Sequence, residues 1–134
     1  MRLVSQLAAL LTLVGLAGCG EPPPPVEVTG AATYDGQPID SGIISFVPLD
    51  SERPCGGAAI AGGRYKLYPE VGLKPGAYRV ELRWARPTGE KREAGYGQSP
   101  DVYAEALPAK YHADSVLTAD LAPGPNALDF ALEK

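Results

Sequence analysis

From Val26 to the C-terminus the apolar residues of this chain recur at every second position, and that period restricts the fold to β-sheet. Val26, Val28, Gly30, Ala32 and Tyr34 fall on one face of a first strand. Ile44, Phe46 and Pro48 alternate with Ser45 and Val47 in a second, and Ala58 to Ala61 form a short third. Tyr65, Leu67 and Pro69 alternate with Lys66 and Tyr68 in a fourth. The fifth is the clearest: Tyr78, Val80, Leu82 and Trp84 face one way, Arg79, Glu81 and Arg83 the other. Leu117, Ala119 and Leu121 give a sixth, and Leu128, Phe130 and Leu132 a seventh. Turn signals divide these runs: Asp35-Gly36, Gly56-Gly57, Gly62-Gly63, Lys74-Pro75-Gly76 and Pro123-Gly124-Pro125-Asn126. Seven short alternating strands with Gly/Pro turns predict an all-β, antiparallel sandwich over residues 26–134.

One connection breaks the pattern. Residues 86–114 show no alternation, contain Pro87, Pro100 and Pro108, and carry the cluster Glu90-Lys91-Arg92-Glu93. A loop of that length in a compact domain is functional or mobile. A short helical turn is expected within it over Val102 to Leu107. Three aromatic residues near it are candidate ligand contacts, Trp84, Tyr96 and Tyr103. Alternation places Trp84 with Val80 and Leu82, so core packing is its simpler role, and Tyr96 between Gly95 and Gly97 is the best placed for an exposed contact. Tyr111 is expected to pin the loop back onto the sandwich.

The N-terminus has a different character. Arg2 is followed by the apolar stretch Leu7 to Leu16, too short to cross a bilayer but of the length of a signal-peptide core. Leu16-Ala17-Gly18-Cys19 then matches the bacterial lipobox. In that chemistry the Cys19 sulfur takes a diacylglyceryl group through a thioether, signal peptidase II cuts between Gly18 and Cys19, and the freed amine is acylated with a palmitate-type chain. Two or three acyl chains hold a protein stably on a membrane, because each buried methylene contributes about 0.8 kcal/mol. The expected organisation is a lipoprotein signal peptide at 1–18, a lipidated cysteine and proline-rich tether at 19–25, and the β-domain at 26–134. Pro22 to Pro25 read as a semi-rigid polyproline spacer lifting the domain from the lipid. Gly20 after the cysteine makes the outer membrane, facing the periplasm or the cell surface, the default destination over the inner one.

The motifs together resemble the carboxypeptidase regulatory-like domain, a transthyretin-like (prealbumin-type) sandwich, and in particular small bacterial envelope lipoproteins built from one such domain. The residues that carry the resemblance are Val28-Thr29-Gly30, Tyr34-Asp35-Gly36-Gln37-Pro38-Ile39, Ile44-Ser45-Phe46-Val47-Pro48 and Gly63-Arg64-Tyr65-Lys66-Leu67. They continue in Leu73-Lys74-Pro75-Gly76-Ala77-Tyr78-Arg79-Val80 and Leu107-Pro108-Ala109-Lys110-Tyr111. The resemblance implies a seven-stranded Greek-key sandwich and no chemistry, since in zinc carboxypeptidases this module sits beside the catalytic domain. Pro-Gly-x-Tyr should bury Tyr78 with its hydroxyl on nearby backbone, as in a tyrosine corner.

Little in the residues argues for catalysis. His112 is the single histidine, and no His-Glu or Cys-Cys metal spacing occurs. Hydroxyisourate hydrolases share the transthyretin-like fold but need several histidines and a Tyr-Arg-Gly-Ser ending, whereas this chain ends Phe130-Ala131-Leu132-Glu133-Lys134. Asp35, Asp40, Asp50, Asp101 and Asp114 lie at loops, where turn formation is the ordinary role of aspartate. With Cys19 lipidated, Cys55 has no disulfide partner and is expected to be a small half-buried residue. The net charge of −4 and the absence of a basic block exclude nucleic acid as a partner. The expectation is thus a non-catalytic envelope module without metal or cofactor, held to the membrane by its N-terminal lipid and free to bind an envelope protein or glycan. Binding of carbohydrate or peptide through 86–114 is the alternative, and a divergent enzyme of transthyretin-like fold the remaining one.

Overall fold

The computed structural model describes residues 18, 20–50 and 52–134. Residues 1–17 and Cys19, hence the signal peptide and the lipidation residue, lie outside the described residues. Of the residues flanking the expected cleavage, Gly18 is exposed.

The described residues are all-β, with eleven strands among them: β1 (Glu27–Tyr34), β2 (Gln37–Pro38), β3 (Ser41–Pro48), β4 (Gly56–Ala61), β5 (Arg64–Leu67), β6 (Gly76–Arg83), β7 (Ala85–Lys91), β8 (Asp101–Glu105), β9 (Thr118–Leu121), β10 (Pro125–Ala127) and β11 (Phe130–Leu132). Nine belong to one curled sheet of order β10-β1-β5-β4-β3-β6-β9, with β2 and β11 also on β1; β7 and β8 pair with each other. Asp35-Gly36 and Gly62-Gly63 close the β1–β2 and β4–β5 turns with positive φ at both residues, the geometry that matches strand twist in two-residue hairpins.

The curl encloses one core. Val28, Ile44, Phe46, Tyr78, Val80 and Leu82 are fully buried, with Tyr65, Leu67, Ala119, Leu121 and Leu132 close behind. Phe46 on β3 meets Tyr65 on β5 and Tyr78 on β6, with ring centroids 6.5 and 6.4 Å apart. The two flanks of the sheet thus pack through aromatic contacts, as in a sandwich. Tyr78 hydroxyl donates to the Lys74 carbonyl at 2.8 Å and accepts from the Lys74 N–H at 3.1 Å, the backbone bonding expected of that Pro-Gly-x-Tyr run.

Four departures from the sequence reading have physical causes. First, the strands among the described residues number eleven rather than seven. Second, residues 86–114 are not strandless: β7 and β8 form a hairpin, with every β7 residue exposed. With no core beneath it, neither face needs apolar residues, so no period-two pattern arises. Third, Val102 to Leu107 is no helical turn; most of it is β8, and the nearby helical turn is a 3-10 turn at Ala109–Tyr111. Fourth, the sheet is not antiparallel throughout. β10 and β11 run parallel to β1, and they are two strands where one was expected. Between them Leu128 N–H donates to Thr29 carbonyl at 2.8 Å while the Asp129 carboxylate accepts the Ala31 N–H at 2.8 Å. A side chain thus replaces a ladder acceptor, and the strand breaks there. Gly30 lies under this break: a Cβ on it would come within 1.7 Å of the Leu128 carbonyl oxygen.

The proline-rich segment expected to act as a tether is not wholly free. The Gly124 N–H donates to the Pro24 carbonyl at 3.2 Å, and Pro23 to Val26 line a small crevice with Pro69 and Gly72 to Pro75. Its last residues lie against the domain where β1 begins and β6 starts.

Candidate functional site

β6 carries the chain from Gly76, at the end where Pro24 packs, to Arg83 at the opposite end, about 23 Å away at about 3.3 Å per residue. There the hairpin departs. Its root is built around Trp84, which is 3 % exposed. The indole N–H donates to Asp40 Oδ1 at 2.8 Å, the Tyr34 ring meets it edge-to-face at 6.4 Å, and the Arg86 guanidinium lies 4.6 Å from its ring. Glu105 closes the root from the other strand. One of its oxygens accepts the backbone N–H of Trp84 at 2.7 Å and of Leu107 at 3.1 Å. The Lys91 ammonium donates to the Asp101 carboxylate across the outer end of the hairpin, and this bond holds Asp101 below the usual carboxylate range.

The three candidate aromatics occupy three different settings. Trp84 is a core residue whose ring borders a 280 Å³ cleft with Tyr34, Arg86 and Lys134. Tyr103, half-exposed on β8, borders a separate 400 Å³ cleft with Ile43, Arg83 and Glu105. Tyr96 stands fully exposed in the hairpin connection and lines neither cleft. The fold does not bring them into one patch.

Tyr111 does pin the segment after the hairpin: its hydroxyl donates to the Glu133 carbonyl at 2.8 Å and accepts the Glu133 N–H at 2.9 Å. His112 is engaged on both nitrogens. Its Nδ1 lies 3.5 Å from Arg83 Nη1, and its Nε2 lies 3.1 Å from the Leu107 carbonyl. Arginine can only donate, so Nδ1 accepts and Nε2 carries the proton. Neither nitrogen is left for a metal, and no group of three or more His, Cys, Asp or Glu among the described residues is arranged to hold one. Of the loop aspartates, Asp50 accepts from Arg53 at 2.9 Å, and Asp35 pairs with Lys134 at 3.2 Å. Cys55, expected to be half-buried, is an exposed free thiol just before β4.

What the residue pattern did not indicate is how much of the molecule's surface relief lies outside the hairpin. A groove of 560 Å³ runs over β1, β4 and β5, bordered by Thr29, Arg64, Lys66 and Tyr68. A signal was present in Gly56-Gly57-Ala58-Ala59, a strand whose small residues leave space above it. Compared with protein-family models, with curated proteins and with solved structures, this chain finds no match.

Proposed function

We propose that this chain is a non-catalytic, lipid-anchored envelope module of the carboxypeptidase regulatory-like, prealbumin-type Greek-key class, which holds the β7–β8 hairpin away from the membrane as a contact arm. The observation that carries the reading is the polarity of the domain. The tether packs at one end, against Gly124 and the 69–75 segment, and the hairpin leaves from the other. Only about 12 Å of chain separates the expected lipid at Cys19 from docked Pro23, at about 3.1 Å per residue. The domain then sits close to the bilayer with its arm outward. A two-stranded hairpin without a packed face is marginally stable alone, which suits a segment that gains partners on binding.

The reading is tested by expressing wild type and Cys19→Ser in a bacterial host with a clickable fatty acid. Wild type takes label and fractionates with membranes, while the variant does neither. Equal labelling refutes the anchor. A photo-crosslinking residue in place of Tyr96 should capture an envelope component that the same residue in place of Lys74, at the tether end, does not; equal capture from both refutes the arm. Carbohydrate or peptide binding through this hairpin is the second reading, favoured by the Tyr103 cleft.

A further inference from the structure

Two exposed apolar side chains share the cleft at the hairpin root. Ile43 on β3 is 55 % exposed and Tyr103 on β8 is 53 % exposed, and both line the same 400 Å³ hollow. The strand registers explain why they meet. Residues directly opposite in an antiparallel pair share a face, as do residues two apart along one strand. Ile43 lies opposite Arg83, and Ala85 lies opposite Glu105. Ser41 is two residues from Ile43, Ala85 two from Arg83, and Tyr103 two from Glu105. All six therefore line one continuous face, while the intervening Ile44, Leu82 and Trp84 are buried on the other. The hollow falls within the usual size of a ligand site, about 300–1,000 Å³.

Two polar groups border this apolar surface, and each is held by groups outside it. Arg83 Nη1 lies 3.5 Å from His112 Nδ1, and His112 Nε2 is in turn fixed 3.1 Å from the Leu107 carbonyl. No carboxylate lies within ion-pair distance of Arg83 among the described residues. Glu105 uses Oε1 for the backbone N–H groups of Trp84 and Leu107, and its Oε2 makes no bond among the described residues. The cleft thus combines a cationic donor, a charged acceptor and an apolar surface, all in place before a ligand arrives.

We propose that this cleft binds an acidic glycan. A carboxylate-bearing sugar ring lays its C–H face on Tyr103 and Ile43, sets its carboxylate on the Arg83 guanidinium, and donates a ring hydroxyl to Glu105. The guanidinium fork matches a carboxylate in two parallel bonds, and such charge-assisted bonds are about twice as strong as neutral ones. A neutral sugar meets Arg83 only through uncharged oxygens. A peptide fits less well: its apolar side chains bury best in an enclosed pocket, whereas Ile43 and Tyr103 each stand half in solvent and suit the flat face of a ring. The assignment rests on the second reading given above, ligand binding through the hairpin, and is independent of the lipid anchor.

The test uses the full chain in detergent micelles and trisaccharides carrying a fluorophore at the reducing end, followed by anisotropy. Trigalacturonate should bind saturably and about ten-fold more tightly than galactotriose of the same linkage. Arg83→Gln should remove that preference, weakening trigalacturonate about ten-fold and galactotriose little. Tyr103→Ala should weaken both. Lys74→Gln makes the same charge change at the tether end and should alter neither. Circular dichroism establishes that the variants fold, and Arg83→Gln serves alone if Tyr103→Ala does not. The proposal is overturned if trigalacturonate does not bind, or if Arg83→Gln acts no differently from Lys74→Gln. Binding of galactotriose or of a labelled Glu-Val peptide as tight as that of trigalacturonate, and lost in Tyr103→Ala, keeps the hairpin reading and overturns the acidic glycan. Absence of any binding that depends on Tyr103 overturns both.

Discussion

Replacing Tyr65 by Phe tests the core and its proton chemistry together. The Tyr65 ring is 5 % exposed, packs with Phe46 and Phe130, and its hydroxyl donates to the Leu128 carbonyl at 2.6 Å. Phe keeps the ring and removes that bond, leaving a part-buried carbonyl without its donor, a loss of about 1–2 kcal/mol near neutral pH. Burial pushes the Tyr65 phenol well above its ordinary value, and the charge on neighbouring Asp129 adds to the shift. The sign follows directly. Above about pH 10 the unfolded chain loses this proton while the folded chain keeps it, so folding stability drops as pH rises, by about 1.4 kcal/mol per unit at the limit. Below that range Tyr65 is neutral in both states and the stability it contributes is fully present. Tyr65→Phe has no such group, so its deficit against wild type should shrink by about 1 kcal/mol between pH 10 and 11 and vanish or reverse beyond. The other tyrosines are common to both proteins and cancel in the difference. Urea unfolding followed by fluorescence of Trp84, the single tryptophan, measures both proteins from pH 7 to 11. A deficit that stays constant across that range refutes the reasoning.

Gly30→Ala places a methyl within 1.7 Å of the Leu128 oxygen, on backbone that cannot yield; a loss of about 3 kcal/mol in urea unfolding is expected. Trp84→Ala removes the hairpin root and should cost about 3–5 kcal/mol by circular-dichroism melts, with faster proteolysis within 85–105. Asp101→Asn breaks an exposed ion pair, so the global unfolding midpoint should hold while limited proteolysis near Tyr96 accelerates. Because Asp101 sits below the usual carboxylate range, its pairing is present at neutral pH and lost as pH falls through that lowered value. Wild-type susceptibility at the hairpin should therefore stay flat down to about pH 4 and rise below it.

The core was legible wherever one strand face is buried and the other wet. Tyr78, Val80, Leu82 and Trp84 are all buried, and Arg83 between the last two is exposed, as period two requires. Tyr78 and Tyr111 could be foreseen as hydroxyl anchors because a buried phenol must find a partner. Ile39, Leu73 and Leu107 also reach the core, but from connections rather than strands, and isolated apolar residues in loops carry no periodic signal. The hairpin was missed because a strand pair exposed on both faces has no hydrophobic alternation to read. The parallel pairing of β10 and β11 depends on Asp129 capping Ala31 from 98 residues away, which local pattern cannot express. For the candidate contacts, Trp84 read correctly as core, while the separation of Tyr96 from Tyr103 follows from hairpin geometry that the residues alone did not reveal.

β1 is the strand closest to the tether, and it is gripped on both sides: by antiparallel β5 along four residues, and by parallel β10 and β11 along three each. Ladder bonds lie across the strand axis. A pull entering through the N-terminus therefore runs along β1 and loads those bonds in shear, all at once, rather than peeling them one by one. A weight hung on the far hairpin would draw against the same row. With the proline segment leading straight into a strand held on both sides, a pull along that segment meets its resistance in β1 first.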